Sequence, residues 1–280
     1  MARARERISA AYVDACRMEI EALKPGNVHL FADGHRMSAD QFITSARVSA
    51  APLTDPGLPV GRRILEAVRA TRQAVGINTN LGIVLLAAPL ACAAGMEGRD
   101  LRANLDAVLR AMDMEDTRAV FEAIALASPG GLGTAKENDV REEPKVQLLE
   151  AMREASGRDR IARQYVTGFE DIFEVGLPAL EAALSRGESG MWPTIFAYMA
   201  FLASFPDSHV ARKQGDEAAD GVRNEAADVR AALDARDEAL RISALLEFDQ
   251  RLKARDINPG TSADLTVACL LVHILGRRLA

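Results

Sequence analysis

Four short stretches of the 280-residue chain gather residue types that can handle a polyanion or a proton. The first is Glu19-Ile20-Glu21-Ala22-Leu23-Lys24-Pro25-Gly26-Asn27-Val28-His29, where Glu19 falls on or near the apolar face of a helix. A carboxylate in such a place must be paired, ligate a cation or change its pKa. Lys24, Asn27 and His29 follow it as candidate phosphate contacts. The second stretch runs from Arg69 to Gly82 and holds Arg72, Asn78, Thr79 and Asn80. Gly76 is suited to end one helix in the left-handed conformation, and Asn78 or Thr79 to cap the next. Free N–H groups at that helix start favour an anion. Capping does not account for Asn80.

The third stretch is Pro206–Gly215. Asp207 can cap a helix, bind a metal ion or take a proton, His209 is a second candidate base, and Arg212 and Lys213 add positive charge. The fourth is Asn258-Pro259-Gly260-Thr261-Ser262-Ala263-Asp264-Leu265. Thr261 or Ser262 suits a helix cap, and Asp264 is expected in the first turn, where the helix dipole favours an acid by ~0.3–1 kcal/mol. The functional alternative makes Asp264 a Mg²⁺ ligand, since Mg²⁺ prefers carboxylate oxygens together with phosphate oxygens and waters. Each stretch also has an ordinary explanation in turn chemistry, capping or surface charge. His29 and His35 are too far apart in an irregular segment to form a metal pair, and His273, inside an apolar helix, reads as a satisfied core residue.

These stretches must be positioned by helices. Aromatic residues are scarce at 5%, no segment alternates with period 2 for long, and period-3.6 patterning recurs. Ile8, Tyr12, Ala15, Cys16 and Ile20 would line one face of a first helix that stops before Pro25-Gly26. Further helices are expected near 38–51, 60–75, 80–94, 100–111, 116–127, 144–155, 160–184, 191–204, 217–232, 236–254 and 261–278. The fold class is all-α: one multi-helix, bundle-like domain over 1–280, with a site built where inter-helix turns converge. The segment Gly215–Glu238, rich in charge and Ala, reads as a solvated helix pair or as a mobile cover. Gly130-Gly131-Leu132-Gly133 follows a helix rather than a strand and matches neither familiar nucleotide-binding glycine loop.

The 49% hydrophobic and 26% charged content is that of a globular protein, and the net charge of −6 argues against nucleic acid as a partner. Cys16, Cys92 and Cys269 lie far apart in Ala-rich surroundings and read as core thiols of a reducing compartment. The basic N-terminus lacks the apolar run of a secretory signal. The apolar stretches Leu81–Ala94 and Leu265–Leu275 fall short of the ~20 residues that span a membrane, so a cytoplasmic location is expected. A homodimer is expected from the general frequency of such assemblies.

Taken in order, the stretches resemble the triphosphoribosyl-dephospho-CoA synthase family. The resemblance rests on Leu23-Lys24-Pro25-Gly26-Asn27-Val28 with Glu19 upstream and His35-Arg36-Met37 downstream. It continues through Glu66-Ala67 to Thr71, Gly76–Gly82 and Pro259–Leu265. It implies an all-α enzyme in which an acceptor hydroxyl attacks the anomeric carbon of ATP, adenine leaves and a triphosphoribosyl group is transferred. The triphosphate needs cations, the oxocarbenium-like centre nearby negative charge, and the attacking hydroxyl a base. On this resemblance Glu19 and Asp264 serve Mg²⁺ or the anomeric centre, and Asp207 or His209 is the base. Lys24, Asn27, His29, His35, Arg72, Asn78, Thr79, Asn80, Arg212, Lys213 and Ser262 contact the nucleotide.

The sequence also departs from the family pattern. The family's N-T-H-K-G segment is here Asn78-Thr79-Asn80-Leu81-Gly82, so Leu81 replaces a lysine. The later D-T-N block is here Asp207-Ser208-His209. Together with Ser128–Val140, this resembles a branch found in methanogens and methylotrophs. That branch implies a different acceptor, such as a sugar hydroxyl of a tetrahydromethanopterin-type precursor, with ATP or phosphoribosyl pyrophosphate as donor. Two readings from other classes stay open: a non-catalytic nucleotide-binding helical protein, and a metal-dependent phosphohydrolase.

Overall fold

The structure, a computed structural model, describes residues 2–30, 37–97, 100–129, 138–235 and 237–279, with side chains as far as Arg277. His35 and Gly130–Gly133 lie outside the described residues. The described residues form fourteen α-helices and one π-helical turn, with no β-strand. The helices are α1 Ala2–Glu21, α2 Ala39–Leu53, α3 Val60–Val75, α4 Leu81–Ala94, α5 Leu101–Ala111, α6 Met114–Ala127 and α7 Leu148–Ala155. They continue with α8 Arg160–Thr167, α9 Leu177–Ser185, α10 Trp192–Ser204, α11 Ser208–Gln214, α12 Asp216–Ala232, α13 Glu238–Ala254 and α14 Gly260–Leu279. No helix is long and apolar enough to cross a membrane among the described residues.

The chain groups into two compact units. One comprises Met1–Arg17, Asp40–Phe169 and Leu271–Ala280; the other comprises Met18–Ala39 and Glu170–Leu270. In the first unit α4 is apolar on every side because α3, α5, α6 and α8 pack around it. That is why Leu81–Ala94 has no polar face. Gly61 brings α3 and α6 close: a Cβ there would lie 2.5 Å from Asp116 Cα, and the Gly61 N–H donates to Asp116 Oδ1 at 2.6 Å. In the second unit α10 plays the central part, packed by α9, α12 and the π-helical turn Ile172–Gly176. Ala219, Val222 and Ala226 of α12 are fully buried in that unit's core. The Ala-rich segment after Gly215 is thus one helix with a packed small-residue face rather than a helix pair.

Two expectations need correction. The helix expected over 160–184 is broken: Gly168 and Phe169 take φ of 63° and 60°, and a π-helical turn follows. The apolar spacing of Ile161, Tyr165, Phe169 and Ile172 continues across the break, so periodicity alone does not mark it. The stretch 206–215, expected as a polar turn, contains the seven-residue helix α11. Asp207 caps it, accepting from the N–H groups of His209 and Val210 at 2.9 and 3.2 Å. The three cysteines form no disulfide with one another; Cys16 and Cys269 are buried and Cys92 is half-buried.

Candidate functional site

Three of the four polar stretches come together inside the second unit, joined by an Asn27–Asn258 bond and by the buried carboxylate of Asp207. The turn after α1 is built around Lys24, whose side chain is 0% exposed. Its ammonium pairs with Glu19 Oε1 at 2.8 Å and donates to Asn27 Oδ1 at 3.1 Å and to the Val28 carbonyl at 2.5 Å. An ammonium has three N–H donors, and all three are used. Burial pushes the Glu19 carboxyl up and the Lys24 ammonium down, while each partner's charge pulls the other way. Lys24 is therefore an internal cation, not the phosphate contact expected from its type. Glu19 is closed in by that ammonium, so the Mg²⁺ role expected for it does not fit the donor set.

Asp249, from α13, holds the same turn from the other side. It accepts from the Gly26 N–H at 2.8 Å, lies 3.5 Å from His29 Nε2, and pairs with Lys253 at 3.0 Å. Burial raises its carboxyl, but the donors from His29, Gly26 and Lys253 outweigh burial and hold it below the ordinary value. Burial pushes the His29 imidazole down, and the nearby Lys253 and Lys24 charges add to that against the pull of Asp249. A neutral imidazole can donate its Nε2–H to Asp249. Gly26 has φ of +80°, and a Cβ on it would lie 2.8 Å from Pro259 Cδ. Asn27 Nδ2 donates to Asn258 Oδ1 at 2.8 Å, so the first and fourth stretches are in direct contact.

Asp207 joins the third stretch to the fourth. Oδ1 caps α11, and Oδ2 accepts from the Ser262 N–H at 2.7 Å and from the Ser262 hydroxyl at 2.8 Å. The Ser208 and Thr261 hydroxyls meet at 3.0 Å, and the His209 N–H also reaches Thr261 Oγ1 at 3.1 Å. Burial pushes the Asp207 carboxyl up, with its four donors pulling against that. With its acceptor sites filled, Asp207 is a tie between helix starts. A Cβ on Gly260 would lie 2.8 Å from His209 Nδ1, so the imidazole rests on the backbone where α14 begins. Because α14 starts at Gly260, Asp264 falls just past its first turn, half-buried. The expected dipole benefit is correspondingly smaller. Arg212 is half-buried at the end of α11, and Lys213 is exposed.

Tyr198, buried on α10, donates its hydroxyl to the Pro25 carbonyl at 2.7 Å. Burial, followed by the charges of Asp207, Glu19 and Asp249, raises its phenol well above the usual value, so it stays neutral. Sequence reading missed Tyr198, Asp249 and Lys253. The available signal was Asp249 itself: Leu245, Phe248, Asp249 and Leu252 form the buried stripe of α13, and an acid on that stripe needs partners.

The second stretch belongs to the first unit. Gly76 ends α3 with φ of 79°; the N-cap of α4 is Asn80, without a side-chain cap bond, and Asn78 Oδ1 reaches the first helical N–H, that of Leu81, at 3.1 Å. Thr79 and Asn80 instead enter a buried polar seam with α2. Thr79 Oγ1 meets Ser45 Oγ at 2.6 Å, Asn80 Nδ2 donates to Ser49 Oγ at 3.3 Å, and Ser49 Oγ meets the Tyr12 hydroxyl at 2.9 Å. Asn80 is thus explained by the seam rather than by a cap. Arg72 is exposed. No cluster of three or more His, Cys, Asp or Glu is arranged to hold a metal among the described residues.

Comparison with known proteins gives a consistent result. A Pectobacterium atrosepticum protein named 2-(5''-triphosphoribosyl)-3'-dephosphocoenzyme-A synthase is 24% identical over 255 residues, which span 90% of this chain and 76% of that one. A Pseudomonas fluorescens protein provisionally given the same name is 30% identical over 112 residues, 39% of this chain and 38% of its own. The crystal structure of an Archaeoglobus fulgidus protein, provisionally named triphosphoribosyl-dephospho-CoA synthase, matches with a TM-score of 0.64 at 28% identity. It covers 81% of this chain and 95% of that one. The family model for ATP:dephospho-CoA triphosphoribosyl transferase matches residues 5–280, and the chain belongs to that family.

Proposed function

We propose that this chain transfers the triphosphoribosyl group of ATP to a hydroxyl of a dephospho-CoA-type acceptor. The observation that supports the reading is the linkage of the turns at 24–29 and 257–264, two of the stretches that bear the family resemblance, through Asn27 and Asn258, with Asp207 tying the turn at 207–210 to Ser262. In the reaction the acceptor oxygen forms a bond to the anomeric carbon. The bond from that carbon to the adenine nitrogen breaks, and its electron pair leaves with adenine. The hydroxyl proton passes to a base, and adenine takes up a proton as it leaves.

His209, held over the start of α14, is the base we favour. Arg212 and Lys213, in the last turn of α11, are the cations we assign to phosphate contacts. Asp264 is the carboxylate suited to stabilise positive charge at the anomeric carbon or to share a Mg²⁺ ion with the triphosphate. Mg²⁺ commonly takes only one or two protein carboxylates and completes its shell with phosphate and water. The match over 5–280 supports treating the chain as one catalytic domain, and its family chemistry on CoA-type small molecules suits a cytoplasmic enzyme.

One observation favours a second reading of the acceptor. Leu81, where the family has lysine, is only 8% exposed and is part of the α4 core. A site without that cation suits phosphoribosyl transfer to a cofactor precursor of the tetrahydromethanopterin type. The test is turnover with Mg²⁺, ATP or phosphoribosyl pyrophosphate, and each acceptor in turn. Adenine release that requires dephospho-CoA supports the first reading. Pyrophosphate release that requires the pterin-type acceptor supports the second. Phosphate release without an acceptor, or binding without turnover, overturns both.

A further inference from the structure

The buried cluster of the second unit contains two lysines, and they are not equivalent. Lys24 is sealed, with every N–H used internally. Lys253 is 20% exposed, and its contacts are Asp249 Oδ2 at 3.0 Å and His29 Nε2 at 3.5 Å. With the His29 Nε2–H directed at Asp249, that nitrogen does not accept from Lys253, so only Asp249 holds the ammonium and two of its N–H groups remain for a group arriving from solvent. Behind it stands Asp249, 6% exposed, whose other oxygen is fixed by the Gly26 N–H. Gly26 has no room for a side chain, because a Cβ there would lie 2.8 Å from Pro259 and 2.9 Å from Leu252. The ammonium is thus referenced through one carboxylate to the rigid turn that carries the family resemblance.

A lysine ordinarily loses rotamer entropy when it meets a phosphate; one already oriented by a buried carboxylate loses less. We propose that Lys253 is the cation that meets the donor's phosphates, and that Asp249 is the positioning residue that orients it. This deepens the function proposed above and rests on it. Asp249 acts through Lys253 and the Gly26 turn and touches no reacting atom.

The test uses the full chain and the variants Lys253→Met, Lys253→Arg and Asp249→Asn. Affinity for ATP and for inorganic tripolyphosphate is read by calorimetry, and KM for each substrate and kcat by adenine release. Lys253→Met is expected to weaken ATP and tripolyphosphate binding roughly tenfold, the usual scale for losing one charge-assisted bond. The acceptor KM stays unchanged, and the melting temperature falls modestly because Asp249 loses one of its partners. Lys253→Arg retains most of the affinity. Asp249→Asn keeps an acceptor for the Gly26 N–H and weakens ATP binding several-fold, with a smaller effect on kcat.

Unchanged ATP and tripolyphosphate affinity in a folded Lys253→Met protein overturns the inference. So does equal weakening of donor and acceptor, or loss of affinity in Lys253→Arg as great as in Lys253→Met. If the wild-type chain binds tripolyphosphate through Lys253 but shows no acceptor-dependent adenine release, the inference stands and the reaction assigned above fails.

Discussion

The Asp207 carboxylate and Ser262 are joined twice: Oδ2 accepts the Ser262 backbone N–H at 2.7 Å and its hydroxyl at 2.8 Å. The other oxygen of the same carboxylate caps α11, so one acid fixes the starts of two helices separated by 53 residues between Ser208 and Thr261. Removing it leaves several buried donors without an acceptor. Asp207→Ala is therefore expected to lower unfolding free energy by roughly 1–3 kcal/mol. Ser262→Ala, which loses only the hydroxyl bond, is expected to cost about 1 kcal/mol. Urea unfolding of both variants checks the order. Equal stability of Asp207→Ala and wild type would refute the tie.

Lys24 and Glu19 form a pair with no solvent to replace either partner. Lys24→Met alone strands a buried carboxylate and is expected to destabilise by about 3–5 kcal/mol, whereas Lys24→Met combined with Glu19→Leu recovers much of that loss. Glu19→Gln leaves Lys24 poorly neutralised and is expected to lower the melting temperature. A double-mutant cycle by thermal melting measures the coupling.

Gly26→Ala is expected to destabilise by more than about 1 kcal/mol. The position has φ of +80°, and the new methyl would meet Pro259, Leu252 and the Ile257 carbonyl. Gly76→Ala has the same sign of φ but nothing within 4 Å, so it should cost less. Comparing the two by chemical denaturation separates backbone strain from steric closure.

His29 links stability to pH. Its folded pKa lies below the ordinary 6.5, so the folded state binds fewer protons than the unfolded state between the two values. Stability from this group is fully present above 6.5 and is lost as pH falls from there toward the folded pKa. The wild type should lose stability on acidification through that window, and His29→Gln should show a shallower slope. Parallel slopes in the two proteins would contradict the assignment.

Much of this was legible in the chain. The helix expected over 60–75 is α3 Val60–Val75, because Pro59 and Gly76 punctuate it and its apolar residues repeat with helical spacing. Gly76 as the left-handed end of α3 and Glu19 on an apolar face were also readable. What escaped was the direction of side chains after a turn. Nothing local tells that Lys24 folds back on Glu19, since both residue types equally suit a phosphate site. Asp249 lies on the apolar stripe of Leu245, Phe248 and Leu252 and so signals a partner, but only tertiary structure shows that the partner is the Gly26 N–H. The helix α11 escaped because its seven residues, mostly polar, form around the Asp207 cap rather than on an apolar stripe.

Asp264→Asn isolates charge handling from folding. Asp264 is half-buried, and the amide is nearly isosteric, so melting should move little while turnover falls by roughly 10² or more, the scale of losing one group that stabilises transition-state charge. Full turnover in Asp264→Asn would remove it from the reaction.

The proposed reaction makes its new bond at the anomeric carbon of ATP, and the mass and stoichiometry of the products report on that bond. With ATP, Mg²⁺ and dephospho-CoA, one adenine should be released for each acceptor molecule that gains a triphosphoribosyl group, with all three phosphates retained on the product. ADP or inorganic phosphate in place of adenine, or adenine formed without a heavier acceptor, would contradict it.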